Sequence, residues 1–122
     1  MKAIGRRVWA IPGGRIPMRS SGPEPEMTSR DELRLLNTGE KEARVSILVF
    51  YADSEPVGPY EITVPARRVR RVRVNDLIDP FPVPLETDYS MTIHASHPIV
   101  VQFTRIDSGE AARAMAGAIA HS

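Results

Sequence analysis

The stretch from Glu55 to Leu77 constrains the fold more than any other part of the chain. Tyr60, Ile62 and Val64 alternate with Glu61, Thr63 and Pro65, the two-residue period of a strand with one buried face. Pro56-Val-Gly-Pro59 reads as the turn that feeds this strand. Pro65 ends it, because proline has no N–H to give to a ladder. After a short corner, Val72 and Val74 resume the alternation against Arg71 and Arg73. The two runs together read as a hairpin, and the phase slip at Val69 points to a bulge near Arg70. A helix would also bring Val69 and Val72 together, but the β-branched content argues for a strand.

The same pattern recurs along the chain. Arg7 to Ile11 reads as a first strand, with Trp9 and Ile11 on one face and Val8 and Ala10 on the other. Pro12 to Ser29 shows no periodicity and reads as a long loop. Glu32 to Asn37 sets Leu33 and Leu35 opposite Arg34 and Leu36. Ala43 to Tyr51 is the strongest strand, apolar on both faces, which suits a central position. Asn75 to Glu86, stiffened by Pro80, Pro82 and Pro84, reads as a second long loop. Thr87 to Ala95 and Ile99 to Ile106 read as two strands joined by a turn at Ser96-His97-Pro98. Asp107 and Glu110 have the spacing of a helix-capping pair, with Ala112, Met115, Ala116 and Ile119 on one helical face. A single turn followed by a terminal strand fits the same residues.

About seven short strands at this spacing predict an all-β antiparallel β-sandwich with at most one short C-terminal helix. A length of 122 residues suits one domain spanning residues 1–122. A net charge of +1 imposes no field that demands an anionic partner, and the absence of cysteine excludes disulfides, thiolate metal sites and cysteine nucleophiles. No run approaches the ~20 apolar residues that cross a bilayer, so membrane insertion is not expected.

Pro56-Val-Gly-Pro-Tyr60, Val64-Pro-Ala-Arg-Arg68 and Val74-Asn-Asp-Leu77 resemble the sensory rhodopsin transducer family. Gly22-Pro-Glu-Pro25 and Pro98-Ile-Val-Val-Gln102, with Thr104-Arg105 and Asp107-Ser108 after them, are similar to the same family. The resemblance runs along nearly the whole chain in one order. It implies a β-sandwich, a homo-oligomer that is most readily a tetramer, and a cytoplasmic, non-catalytic signalling role. Family members are thought to bind small molecules, plausibly carbohydrates, and to signal through partners, among them the cytoplasmic face of a membrane receptor. The chain departs from the pattern at Arg15 and His121, where the photoreceptor's partner carries aromatic residues.

Catalytic and metal signatures are weak. His94 and His97 lack the companions a closed zinc site needs, and no nucleophile elbow or phosphate-cradling glycine loop is present. No cofactor or metal is expected. The best ligand-binding candidates are Glu24 and Glu26 in the first loop and Asn75 and Asp76 in the second, with Trp9 and Arg105 behind them. Carboxylates and amides in proline-stiffened loops suit polyol hydroxyls, which donate to one and accept from the other. Trp9 reads either as a core residue or as a stacking face. Arg67, Arg68, Arg70, Arg71 and Arg73 form a basic cluster. It reads either as a charge-protected edge paired with acids, or as a phosphate-contacting strand of a DNA-binding regulator.

Overall fold

The computed structural model describes residues 2–17, 30–106 and 115–119, the last as backbone only. Seven antiparallel strands run through these residues: β1 (Arg6–Gly14), β2 (Arg30–Asn37), β3 (Ala43–Phe50), β4 (Val57–Val64), β5 (Arg68–Arg73), β6 (Tyr89–Ile106) and β7 (Met115–Ile119). The alternation read from the sequence holds in β1, β3 and β4. Trp9 and Ile11, then Val45, Ile47 and Val49, then Tyr60, Ile62 and Val64 all point into one core. Leu33, Leu35, Val72 and Val101 come from the other side of that core.

β6 organises the arrangement. Its first half lies between β1 and β3, and its second half between β2 and β7. With β4 beside β3 and β5 beside β2, the result is two sheets, β4-β3-β6-β1 and β5-β2-β6-β7, that share one strand. An 18-residue strand would span roughly 60 Å if straight. Yet Tyr89 and Arg105, near its two ends, both hydrogen-bond Asp31. β6 therefore folds back over the core. The expected turn at Ser96-His97-Pro98 is the bend, but the strand continues through it, and one strand replaces the two expected. Pro98 costs nothing there, because the bend is where β6 changes neighbours. Trp9 Nε1 donates to Ile99 O at 3.0 Å, and the Arg44 N–H donates to Ser96 Oγ at 2.8 Å, which pins the bend from both sides. Gly5 (φ +109°) crosses over it so closely that a Cβ would stand 2.0 Å from Ile99 O.

Three further expectations are corrected. β4 and β5 do not form a hairpin. They are the outer strands of different sheets, and the corner between them carries the chain from one sheet to the other. The β2–β5 register is continuous from Glu32↔Arg73 to Asn37↔Arg68, so no bulge exists near Arg70. Val69 simply faces outward, opposite the exposed Leu36. Pro12, Gly13, Gly14 and Ile16, expected in the first long loop, belong instead to β1 and to a bridge with Leu85, and residues 18–29 of that expected loop lie outside the described residues. Of the two readings of the C-terminal segment, the terminal strand holds: Met115–Ile119 is a strand paired with β6. The Asp107–Glu110 pair lies outside the described residues.

Asn37 holds the closed end, where the corner meets the β2–β3 turn. Its Nδ2 donates to Lys41 O (2.8 Å) and Val64 O (3.1 Å), and its Oδ1 accepts from the Gly39 N–H (3.0 Å). The side chain is fully buried, so deletion leaves carbonyls without a donor. Asn37→Ala is expected to cost about 2–3 kcal/mol in urea unfolding. Asn37→Asp should cost no less, since its carboxylate would face those carbonyls.

Candidate functional site

The end of the sandwich opposite the corner gathers the tip of β1, the start of β2, the tip of β3 and both ends of β6. Asp31 sits at its centre, fully buried. Its Oδ2 accepts from the Arg15 backbone N–H at 2.9 Å and from the Tyr89 hydroxyl at 2.6 Å, and its Oδ1 accepts from Arg105 Nε at 3.1 Å. Burial pushes the Asp31 carboxyl above its ordinary range, against the downward pull of those three donors. Tyr89 is pushed upward too, by burial first and then by the neighbouring carboxylate. Gly14 is required beside it, because a Cβ there would meet the Tyr89 ring at 2.3 Å.

Around this buried group opens a cleft of about 640 Å³, walled by Gly13, Arg15, Tyr51, Asp88, Tyr89 and Arg105 among others. The Arg15 side chain spans its rim. It donates to Asp88 Oδ1 at 3.0 Å and to Glu86 Oε2 at 3.2 Å. Those two bonds, Asp88 first, hold its guanidinium more firmly protonated than usual. A second cleft of about 570 Å³ shares Tyr51, Ala52 and Asp88 with the first and extends to Phe81 and Pro84. Such a surface offers aromatic faces, guanidinium donors and carboxylate acceptors within one concavity, which is what a small polar ligand needs. Among the described residues no three His, Asp or Glu groups converge as a metal site.

The candidates named from the sequence fall in different places. Arg105 lies in the first cleft. Trp9 is buried in the core and its indole N–H is committed to Arg6 O and Ile99 O, so it is a core residue and not a stacking face. Asn75 and Asp76 sit in a short 3₁₀ turn (Val74–Asp76) after β5, and Asp76 lines a separate, smaller cleft with Arg70, Arg71 and Arg73. They are not brought together with Arg105. Glu24 and Glu26 lie outside the described residues. Asp31, Tyr51, Asp88 and Tyr89 were not singled out as site residues, and Arg15 entered only as a departure from the family pattern. The signal in the sequence is the charged triplet Arg30-Asp31-Glu32 opening a strand whose core face is Leu33 and Leu35.

The arginine strand is largely tied to its own chain. Arg67 pairs with Glu40 at 3.1 Å, Arg68 Nη1 donates to Arg67 O at 3.1 Å, and Arg70 Nη1 donates to Thr63 O at 2.8 Å. Arg71 Nε stands 3.2 Å from the buried Glu32 Oε1, close enough for an ion pair but off hydrogen-bond geometry. Glu32 in turn is bonded by Arg30 Nε at 3.0 Å. These contacts match the charge-protected edge and lend nothing to a DNA-reading strand.

Fold and cleft define a small antiparallel β-sandwich with a polar site at one open end. The profile of a family described as Anabaena sensory rhodopsin transducer matches residues 4–122. The solved Anabaena sensory rhodopsin transducer is 50% identical, with a TM-score of 0.77, over 84% of this chain and 99% of its own. A second solved structure, described as Thermotoga maritima 1070, is 27% identical with a TM-score of 0.79, over 96% of this chain and 94% of its own. Among curated proteins none matches. The chain belongs to the Anabaena sensory rhodopsin transducer family, a family of signalling modules named for a transducer and not for an enzyme.

The Asp31 site makes a pH prediction. Its carboxyl has a raised pKa when folded, so the folded chain holds the proton more tightly than the unfolded chain does. Stability from this group therefore rises as pH falls through the folded-state value, and levels off below the ordinary value of 3.8. Asp31→Asn lacks this linkage. In urea melts the wild type should gain stability relative to the variant as pH is lowered from about 7 to about 4. The opposite slope would contradict the assignment.

Proposed function

We propose that this chain is a non-catalytic signalling module that binds a small polar molecule, with carbohydrates and polyols as the leading class, and relays the signal through partner proteins. The observation that carries this reading is the Arg105 cleft, built on the buried Asp31 and walled by Arg15, Tyr51 and Asp88. Tyr51 supplies a face for the apolar side of a sugar ring, and the charged groups supply donors and acceptors for its hydroxyls. Membership of a transducer family supports the relay, with the water-facing side of a membrane receptor as the natural partner. No helix among the described residues is long and apolar enough to cross a membrane, which fits a chain that meets such a receptor from the cytoplasm.

Calorimetry tests the ligand. A panel of sugars, polyols and nucleotides should yield at least one binder with roughly micromolar to millimolar Kd. Arg105→Ala and Tyr51→Ala should each weaken it by about tenfold, the loss of one charged hydrogen bond or one stacking face. Absence of heat across the panel, or binding indifferent to both substitutions, would overturn the reading.

Assembly belongs to the same proposal. The outward faces of β2 and β5 place Leu36 against Val69, which is 64% exposed, between arginines, a surface suited to subunit contact. A homotetramer is expected, each stable contact burying roughly 800 Å² per partner. Light scattering at micromolar concentration should return four times the chain mass of 13.5 kDa. A monomer mass would refute it.

A further inference from the structure

The second cleft has a chemistry distinct from the first. Its apolar and aromatic lining is Tyr51, Val57, Phe81, Pro82 and Pro84. Phe81 is 65% exposed and lines the groove together with Tyr51, Pro82 and Pro84, an apolar surface open to solvent. It is also held in place, since the Tyr60 hydroxyl donates to the Phe81 carbonyl. Three carboxylates line the groove, Asp53, Glu86 and Asp88, and no lysine or arginine lines it among the described residues. Arg15 reaches Glu86 and Asp88 from the neighbouring cleft.

We propose that this groove docks an extended segment of a partner protein that carries arginine or lysine beside apolar residues. Charge complementarity selects the occupant. An acidic rim rejects acidic segments, and exposed aromatic faces next to carboxylates attract cations, guanidinium above all. An apolar neighbour of that cation would cover Phe81 and Pro84. The cytoplasmic loops of membrane proteins are rich in these residues, so a receptor's water side could supply the segment. That source rests on the transducer reading above, whereas the groove's own chemistry does not. Because Tyr51 and Asp88 line both clefts, a molecule in the first cleft would touch the walls of the docking groove.

The test uses the full chain and a fluorescein-labelled nonapeptide of alternating arginine and leucine, followed by anisotropy. A second peptide carries citrulline, the neutral isostere, at each arginine, and a third carries glutamate. The arginine peptide should bind with sub-millimolar Kd, at least tenfold tighter than the citrulline peptide, and the glutamate peptide should not bind. Phe81→Ala and Asp53→Asn alter exposed side chains outside the core, so both variants should fold. Each should weaken the arginine peptide about fivefold or more, while leaving small-molecule heats in the first cleft unchanged. Equal binding of the arginine and citrulline peptides, or binding untouched by both substitutions, would overturn the proposal. So would loss of self-association in Phe81→Ala by light scattering, which would give the groove to a second copy of this chain. Peptide binding without any small-molecule heat would support the groove and defeat only the ligand reading.

Discussion

Everything in this fold depends on β6 being a member of both sheets. A strand has two edges, and each must find hydrogen-bond partners if it is buried. β6 satisfies its edges with β1 and β3 over its first half and with β2 and β7 over its second. The exchange happens where Pro98 has no N–H to offer, and where Trp9 and Arg44 take up polar groups at the bend. Fixing that bend fixes the facing of the two sheets, and with it a core that runs without interruption from Ile47 and Ile93 to Leu33 and Val101.

Asp31 is the second constraint and depends on the first. Only because β6 returns on itself do Tyr89 and Arg105 reach the same carboxylate. Burying a carboxylate is costly unless donors surround it, and here they come from three separate segments. The arrangement specifies how the tip of β1, the start of β2 and the two ends of β6 meet. The cleft opens where those segments meet, with Arg105 in its wall held by Asp31.

Much of the fold was legible in the sequence, because a period of two in β-branched residues leaves few alternatives. Val45, Ile47 and Val49, or Tyr60, Ile62 and Val64, announce their buried face directly. Pairing was less legible. Pro65-Ala-Arg67 looks like a hairpin turn, yet it joins different sheets, and nothing local distinguishes the two. Ser96-His97-Pro98 has the composition of a strand end, and only the exchange of neighbours lets the strand pass through. The site was least legible. Asp31 lies 58 residues from Tyr89 and 74 from Arg105, so its role exists only after the chain has folded. The loop carboxylates drew notice because exposed polar loops are conspicuous, while a buried aspartate inside a strand looks like a fault in the pattern.

One end of the sandwich carries the corner after β4 and the bend of β6, with Asn37 stapling the corner to the β2–β3 turn. At the other end the connection from β5 to β6 crosses between the sheets, and the side-chain contacts converge on Asp31. The molecule thus has the mechanics of a pair of tweezers. Its fulcrum is the bend, its arms are the sheets, and its tips carry the clefts. There the hydrogen bonds at one carboxylate tie the tip of one arm to the tip of the other.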